Sequence, residues 1–462
     1  MYSITARQLA DIVGGELVFG AEDAPLCGIS TDSRTVAEGE LFVPLKGENF
    51  DGHDYIDKAL LNGAAGCLCA RVPERFIDGK FYIRVENPLR AMQPLALWYR
   101  KQFDIPFVQI TGSTGKTTAK EMVWAVLSQK YRTLKTEANF NGDIGTPKIL
   151  LQLAKDHEAA VIESGMDHAG EIRYLGEMVL PKFAAIINVG VAHIEFLGSR
   201  ENICKAKCEI LENLAPDGVA YLNGDDDMLS AVTPAQRTVR FGRSENCDVR
   251  VTSVECGGIE YTRCTVETKK DTYDLTVFAP GEHMLYPMAL SVAVGEEMGL
   301  THEEIVRGVS SYVPVGGRMR ILHFPGERVL LDDSYNANPQ SMAAALRVLA
   351  NSGGKKRIAV LGNMGELGEL AEQAHRDMGA LVGELGIDML FAIGPMGRLM
   401  AKEAFDCGCD EVYAFQTKEE AYEVLYDAYS EGAVMLLKAS HFSGRFEYIA
   451  EYMEKRFGTT EK

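Results

Sequence analysis

A glycine-rich loop that follows an apolar segment has the residue types and the spacing of a phosphate-binding site. Residues 107–110 read F-V-Q-I, which predicts a buried strand, and apolar residues at helical spacing follow the loop. Glycines let backbone N–H groups close around phosphate oxygens, and a helix N-terminus adds a favourable partial charge. Lys116 would then reach the β- and γ-phosphates of ATP or GTP, and the Thr117 hydroxyl would bind Mg²⁺. The predicted phosphate-loop residues are Gly112, Ser113, Thr114, Gly115, Lys116, Thr117 and Thr118.

Two side chains of the kind that bind metal ions lie at the ends of predicted strands. Glu163 follows the apolar run at residues 160–162, and His193 follows the run at 186–189 after a short loop. Open α/β sheets bind ligands at the carboxyl ends of their strands, so we expect both side chains beside the nucleotide phosphates. A carboxylate and an imidazole there suit a divalent cation. The alternative for either residue is a structural role at the strand end.

Lys207 lies within the apolar stripe of a predicted helix at residues 202–214. Apolar residues recur at helical spacing through this segment, and Lys207 comes four residues after Ile203 and three before Ile210. Lys205 is expected on the opposite, solvent-facing side. A buried lysine is costly unless it is paired or chemically modified, so its position indicates a function. The alternative is a side chain that reaches solvent from the edge of the stripe.

The elements that must position these residues fall into three regions. Residues 1–85 contain short elements, with helices predicted at 5–13 and 56–62 and a strand at 41–44. Residues 86–314 alternate apolar runs with helical segments, which is typical of a parallel α/β sheet. The strands predicted there are 107–110, 159–162 and 184–189, followed by a β-rich part at 238–241, 249–254, 261–266 and 275–277.

A second α/β alternation occupies residues 315–462. Its predicted strands are 329–332, 357–361, 389–393, 411–415 and 434–438, with helices between them. The predicted fold class is therefore α/β with three domains, at 1–85, 86–314 and 315–462.

Composition limits the classes of partner. The 462 residues are 46% hydrophobic and 24% charged, and the formal net charge is −19 without a long basic run. We therefore expect no nucleic-acid partner, whereas anionic small molecules remain compatible with local lysines and amide-rich loops. Neither a signal-peptide pattern nor an apolar run long enough for a membrane span is visible. The ten cysteines form no zinc-like pattern, so we expect reduced thiols in a cytoplasmic protein without membrane insertion.

Several motifs resemble those of the Mur ligase superfamily. Its phosphate loop reads T-G-[ST]-x-G-K-[ST]-[ST], as residues 111–118 do. The run D-S-Y-N-A-N-P-Q-S-M at 333–342 and L-G-N-M-G-E-L-G-E at 361–369 resemble signatures of one branch of that family. D-S-R at 32–34, G-x-L-F at 39–42 and D-G-H at 51–53 also fit, so the resemblance covers essentially the whole chain.

The resemblance implies an activity and its substrates. This branch uses ATP to join D-alanyl-D-alanine to a UDP-N-acetylmuramoyl-tripeptide through an acyl phosphate, in the synthesis of peptidoglycan precursors. The first domain would bind the UDP-sugar, the central domain ATP, and a Rossmann-like third domain the incoming dipeptide. The expected enzyme is a monomer with two Mg²⁺ ions, and the third residue of the peptide is lysine or diaminopimelate.

The resemblance also implies roles for individual residues. Lys207 corresponds to a carbamylated lysine, and it would hold one Mg²⁺ together with His193, while Thr117 and Glu163 hold the other. Lys116, Glu163, His193 and Lys207 would be catalytic. Arg318 would contact the γ-phosphate, with Asp333 and Asn336 at the nucleotide. The implied substrate-binding residues are Ser33, Arg34, Gly47, Asp51, His53, Asn139, Asn338, Lys438 and Ser440.

Two segments depart from the family pattern. Residues 283–287 read H-M-L-Y-P where relatives carry H-N-x-x-N, so the usual asparagine near adenine is absent. Residues 438–441 read K-A-S-H where relatives carry K-G-S-R, which places the titratable His441 where an arginine is usual. Two alternatives remain at this point: another Mur-type or folylpolyglutamate-type ligase, and a P-loop protein that binds nucleotide without ligation.

Overall fold

Three large β-sheets, each with its own helices, divide the chain into three α/β units. The computed structural model describes residues 4–47, 49–440 and 444–458. The predicted α/β class with three units is confirmed. Within the described residues, no helix has the length and apolar character that crossing a membrane requires.

The first unit contains seven short strands and three helices. The strands β1–β7 are Ile4–Thr5, Glu16–Phe19, Pro25–Leu26, Gly28–Ser30, Glu40–Phe42, Gly66–Cys69 and Phe81–Arg84. The helices α1–α3 are Ala6–Val13, Ile56–Leu61 and Pro88–Arg100, with a 3₁₀ turn at Gly52–Tyr55. The main sheet has the order β2-β7-β6-β5-β4, and β1 pairs separately with β3.

Capping residues explain where the first helix begins and ends. The Thr5 side chain accepts from the Gln8 amide and the Gln8 side chain accepts from the Thr5 amide, while Gly14 in a left-handed conformation ends α1. The predicted helices at 5–13 and 56–62 are confirmed, apart from one capping residue each. The predicted strand at 41–44 instead ends at Phe42, because Pro44 has no N–H for the ladder.

The second unit has the largest sheet. Strands β8–β16 are Phe107–Thr111, Thr133–Lys135, Ala159–Glu163, Phe183–Ile186, Val219–Asn223, Arg237–Gly242, Val249–Gly257, Tyr261–Glu267 and Thr272–Val277. Helices α4–α11 are Lys116–Leu127, Gly145–Leu150, Glu171–Val179, Ile194–Leu197, Arg200–Cys208, Asp227–Ser230, Leu285–Glu297 and His302–Ser310. Further 3₁₀ turns lie at Glu209–Leu211 and Glu282–Met284.

The order of this sheet is β16-β15-β14-β13-β12-β11-β8-β10-β9, so β8 lies between β10 and β11. Pairing is parallel from β9 to β14 and antiparallel between β14, β15 and β16. All seven strands predicted in this region are found. The carboxyl ends of β8, β10 and β11 therefore meet at one edge, which is the edge that carries the phosphate loop.

Helix packing covers both faces of that sheet. Helices α4 and α10 pack against each other on one face, and α10 is buried along most of its length, as its nearly continuous apolar sequence requires. Helix α3 packs against α1 of the first unit and against α5 and α6 of the second. It therefore ties the first unit to the second.

The third unit is a second, mostly parallel sheet. Strands β17–β22 are Arg320–Phe324, Arg328–Asp333, Lys356–Leu361, Met389–Ile393, Glu411–Phe415 and Ala433–Lys438, in the order β17-β18-β22-β19-β20-β21. Helices α12–α16 are Pro339–Ala350, Ala371–Glu384, Gly397–Asp406, Lys418–Ala428 and Glu447–Phe457, with a 3₁₀ turn at Gly368–Leu370. The five predicted strands are confirmed as β18–β22. The edge strand β17, which pairs antiparallel with β18, was not predicted.

Two predicted elements of the second unit end early. The strand predicted at 184–189 ends at Ile186, because Ile187 and Asn188 turn toward the phosphate loop, where their backbones bond Thr111 and Ser113. The helix predicted at 202–214 begins at Arg200 and tightens into a 3₁₀ turn at Glu209. The first departure lies beside the phosphate loop, and the second lies beside a neighbouring helix.

Candidate active site

A cleft of about 980 Å³ lies between the second and third units. The phosphate loop forms one wall, and the segment after β18 forms the other. Pockets of roughly 300–1,000 Å³ are typical of small-molecule sites, so this cleft is large enough for a nucleotide. The predicted site residues that line it are Ser113, Thr114, Gly115, Lys116, Thr117, Thr118, Asn139, Glu163, His193, Arg318, Asp333, Asn336, Asn338, Lys438 and Ser440.

Asn188 braces the phosphate loop. Its side-chain oxygen accepts from the backbone amides of Ser113 and Thr114, both at 3.0 Å, and its amide nitrogen donates to the Thr114 carbonyl at 3.1 Å. Gly115 occupies the left-handed region at φ 76° immediately before α4, which a residue with a side chain would adopt only with strain. Sequence reasoning missed Asn188, which lies near the end of the strand predicted at 184–189.

Lys116 lies at the first turn of α4 and lines the cleft. Its Nζ donates to the Gly112 carbonyl at 2.9 Å, which folds the side chain back along the loop. Burial lowers the pKa of Lys116, and the nearby Glu163 carboxylate opposes that effect. The Lys116 amine therefore lies at the phosphate loop, on the wall of the cleft.

Glu163 is the last residue of β10 and is 1% exposed. One of its carboxylate oxygens accepts from the Thr117 hydroxyl at 2.8 Å, and the other accepts from the Asn141 side-chain amide at 2.8 Å. The structure thus brings together the two residues predicted to share a Mg²⁺ ion. It adds Asn141, which sequence reasoning missed although it lies two residues after the predicted Asn139. The donors are hydroxyl, carboxylate and amide oxygens, which are the ligand types Mg²⁺ prefers.

His193 precedes α7 and has a left-handed backbone with φ 65°. Its Nδ1 lies 2.6 Å from a Glu366 carboxylate oxygen and 3.2 Å from an Asp167 carboxylate oxygen. Ligand atoms of Asp167, His193 and Glu366 all lie within 4.8 Å of one another. Neither carboxylate was predicted. Asp167 follows β10 by four residues, and Glu366 comes from the third unit.

Lys207 is buried on α8 with 1% exposure, whereas Lys205 on the same helix is exposed. The predicted orientation of the two lysines is confirmed, and a side chain that reaches solvent is excluded. No other described residue gives the Lys207 amine a hydrogen bond or an ion pair. Burial lowers the pKa of Lys207 well below its usual value, and the charge of Lys116 lowers it further. Both effects favour the uncharged form of the amine.

The third unit contributes a charged pair at the ends of two neighbouring strands. Asp333 ends β18 and forms an ion pair with Lys438 at the end of β22, and the Lys438 Nζ also donates to the Asn336 carbonyl at 3.1 Å. The second Asp333 oxygen accepts from the Met319 amide at 3.1 Å. The Arg318 guanidinium lies 4.1 Å from the Tyr335 ring centroid, a cation–π distance.

The remaining predicted residues of this unit have backbone or capping contacts. Asn338 caps α12 by accepting from the Ser341 amide at 2.9 Å, and the Ser440 amide donates to the Asn363 carbonyl at 3.0 Å. The altered segment at 283–287 contributes His283, Met284, Tyr286 and Pro287 to the cleft. His441 lies outside the described residues.

Five predicted substrate-binding residues lie in the first unit and do not line the cleft. Asp51 and His53 form a closed arrangement: Nδ1 of the ring is 2.7 Å from the carboxylate, and Nε2 accepts from the Ala70 amide at 2.9 Å. The His53 amide is the main cause of a lowered pKa at Asp51. These contacts hold the start of the 3₁₀ turn against the end of β6.

The other three lie in loops of the same unit. Arg34 is exposed and pairs with Asp32 at 2.7 Å. Ser33 is buried, and its carbonyl accepts from Asn62 at 2.8 Å. The Gly47 amide donates to the Phe50 carbonyl at 3.0 Å.

Comparison with known families matches most of the chain. Residues 26–97 match "Mur ligase family, catalytic domain", 110–295 match "Mur ligase middle domain", and 317–441 match "Mur ligase, glutamate ligase domain". The chain belongs to the Mur ligase family.

Individual Mur ligases are similar to this chain over nearly its full length. UDP-N-acetylmuramoyl-tripeptide–D-alanyl-D-alanine ligase of Escherichia coli (strain K12) is 36% identical over 98% of this chain and 99% of its own length. A crystal structure of MurF from Acinetobacter baumannii has a TM-score of 0.90 at 32% identity, covering 98% of this chain and 99% of its own. A crystal structure of MurF ligase from Thermotoga maritima in complex with ADP has a TM-score of 0.81 at 29% identity, with 93% and 97% covered.

Proposed function

We propose that this chain is an ATP-dependent ligase that joins D-alanyl-D-alanine to UDP-N-acetylmuramoyl-tripeptide in peptidoglycan precursor synthesis. The observation that carries the proposal is one cleft in which the phosphate loop faces the 333–342 motif of the third unit. A phosphoryl donor on the first wall and an amine on the second would meet there. Similarity over the full length to relatives that bear this name supports the same activity.

The proposed reaction has two steps. The terminal carboxylate of the tripeptide attacks the γ-phosphorus of ATP, which forms an acyl phosphate and releases ADP. The amine of D-alanyl-D-alanine then attacks the acyl carbon, inorganic phosphate leaves, and the amine loses a proton. Lys116 and Arg318 would counter the negative charge on the transferred group, and closure of the units would exclude water.

The residues at the carboxyl edge of the second sheet fit Mg²⁺. Thr117 and Glu163 would hold one ion, since their oxygens already converge at 2.8 Å, with Asn141 beside them. His193 and a carbamylated Lys207 would hold the other. When bound, Mg²⁺ supplies positive charge that neutralises the phosphate oxygens and orients them for in-line transfer.

Carbamylation gives the buried Lys207 a physical reason for its position. A neutral amine reacts with CO₂, and the lowered pKa of Lys207 favours the neutral form. The product carries one negative charge and two oxygens, which would bind a hard cation and pair with Lys116. Without this modification a lysine would be buried with no described partner.

The same proposal assigns one substrate to each of the three units. We infer a UDP-sugar domain at 1–85, an ATP domain at 86–314 and a D-alanyl-D-alanine domain at 315–462. In the first domain we assign Ser33, Arg34, Gly47, Asp51 and His53 to the substrate side. We also propose that the protein acts as a monomer in the cytoplasm, where a reducing environment suits its ten free thiols.

A nucleotide-turnover assay tests this function. Release of ADP and phosphate should require the UDP-linked tripeptide. D-alanyl-D-alanine should support full turnover, whereas free D-glutamate or L-alanine should not. Preference for a single amino acid as acceptor would assign the chain to another ligation step. Nucleotide hydrolysis that is indifferent to the tripeptide would contradict ligation altogether.

A further inference from the structure

Glu366 of the third unit reaches His193 of the second unit across the cleft. Its carboxylate lies 2.6 Å from the His193 Nδ1, and its backbone carbonyl accepts from the Glu195 amide at 3.3 Å. The side chains are 27% and 17% exposed, so water screens the contact only partly. The two units are thus joined at a residue assigned to the metal site.

The loop that presents Glu366 is held at both ends by one buried ring. His375 on α13 is 1% exposed, its Nε2 accepts from the Met364 amide at 2.9 Å, and its Nδ1 donates to the Ala371 carbonyl at 2.6 Å. These two bonds fix its neutral tautomer. Glu366 itself has a left-handed backbone with φ 60°, which surrounding structure must maintain in a residue with a side chain. The carboxylate is therefore fixed to the third unit.

Within the second unit, His193 has a different carboxylate neighbour. Asp167 lies 3.2 Å from the same Nδ1, but its side chain is 55% exposed. Asp167 and His193 belong to the same sheet edge, so their proximity does not depend on where the third unit lies. Only approach of the third unit brings Glu366, the closer and less exposed carboxylate, to the ring.

We propose that Glu366 is a positioning residue that couples closure of the third unit to divalent-cation binding at His193. The proposal rests on the function assigned above. A carboxylate this close to Nδ1 favours the ring orientation and the tautomer that leave Nε2 as the basic ligand atom, although the two atoms lack hydrogen-bond geometry in this structure. Closure would therefore strengthen the metal site, and because linkage is reciprocal, the bound cation would favour closure by the same factor.

Glu369 provides a matched control. It lies in the same loop and is exposed, and Glu369→Gln removes the same charge with the same small change in shape. Glu366→Gln and Glu366→Ala are compared with it and with the wild type. Because Glu366 is partly exposed and is not in a hydrophobic core, we expect all three variants to unfold at nearly the wild-type temperature.

Mn²⁺ with ADP serves as the probe, because its binding can be followed by electron paramagnetic resonance without turnover. We expect Glu366→Gln to lower the Mn²⁺ affinity by about 10- to 100-fold, the usual effect of losing a residue that orients a metal ligand, and Glu369→Gln to leave it unchanged. X-ray scattering should show that Mn²⁺ and ADP compact the wild type more than Glu366→Gln. Excess Mg²⁺ should restore kcat to Glu366→Gln, which a purely structural defect would not allow.

Equal Mn²⁺ affinity in Glu366→Gln and Glu369→Gln would overturn the proposal. A Glu366→Gln defect that persists at saturating Mg²⁺, with normal Mn²⁺ affinity, would also overturn it. The assigned function fails in a different way, through a wild type that releases no ADP in response to the tripeptide. The Mn²⁺ comparison does not depend on that result.

Discussion

Helices α4 and α8 of the second unit each bury a lysine to 1% exposure, but they surround it differently. On α4, the Lys120 Nζ lies 2.6 Å from the Glu121 carboxylate and donates to the Thr136 carbonyl at 2.6 Å. Lys135 pairs with the other oxygen of Glu121 at 2.5 Å. On α8, no described residue gives Lys207 a comparable partner.

The difference shows that burial of a lysine does not by itself indicate chemistry. A buried charge is tolerated when it is paired and hydrogen-bonded, as Lys120 is, and such a residue has a structural role. Burial without a partner favours the neutral amine, which is the form that can react with CO₂. Lys116, one helical turn before Lys120 on α4, is intermediate, since its only described hydrogen-bond acceptor is the Gly112 carbonyl of the phosphate loop.

The largest effect is expected for Lys207→Ala. Loss of the proposed carbamate removes a metal ligand, so turnover should fall by about 10³-fold in a steady-state ligation assay. Short carboxylic acids that enter the vacated space should restore part of the activity. Lys205→Ala, a change on the exposed side of the same helix, should behave like the wild type. If Lys205 proved essential and Lys207 dispensable, α8 would not carry the site.

Lys116→Ala should reduce turnover by at least about 10²-fold, because a positive charge on the transferring phosphoryl group is lost. The unfolding temperature should hardly change, since the side chain bonds one carbonyl of its own loop. Near-normal ligation by the folded variant would contradict the assignment of the phosphate loop.

Stability should separate the two buried lysines. Lys120→Met removes a partner of a buried carboxylate and should lower the free energy of unfolding by about 1–3 kcal/mol. Lys207→Met removes an amine without a partner, so in buffer without Mg²⁺ and bicarbonate the protein should be as stable as the wild type or more stable. Denaturant titrations measure both. Equal destabilisation by the two substitutions would remove the contrast between the helices.

Removal of CO₂ should have the smallest effect. Carbamylation requires a neutral amine, so the modified fraction falls as the pH drops below the lowered pKa of Lys207 and the amine becomes protonated. Activity should therefore decline several-fold when bicarbonate is stripped in mildly acidic buffer and should recover on its return. Activity that does not respond to bicarbonate in that buffer would argue against the modification.

The sequence predicts best where a pattern is local and periodic. The loop at 111–118, strands β8, β10 and β18–β22, and the opposite orientations of Lys205 and Lys207 all follow from spacing within one segment. Strand β17 was missed because R-I-L-H-F mixes polar and apolar residues. The Pro325-Gly326 turn signal that follows it would have indicated a hairpin with β18.

Strands β9 and β12 were also missed, and so were the long-range partners of the site residues. Asn141, Asp167 and Asn188 meet predicted residues only after the sheet brings separate strand ends together, and Glu366 does so only across two units. In the first unit, the family resemblance implied substrate contacts for Asp51 and His53, and the structure adds that their side chains contact each other and that His53 accepts from the Ala70 amide. Spacing along the chain does not reveal that two polar side chains bond each other.

Carbon-13 NMR of the protein equilibrated with ¹³C-bicarbonate detects a lysine carbamate directly. We expect one carbamate resonance in the wild type, in Lys205→Ala and in Lys120→Met, and none in Lys207→Ala. A resonance that persists in Lys207→Ala, or its absence from active wild-type protein, would contradict the central claim that the unpaired lysine of α8 is a modified residue of the active site.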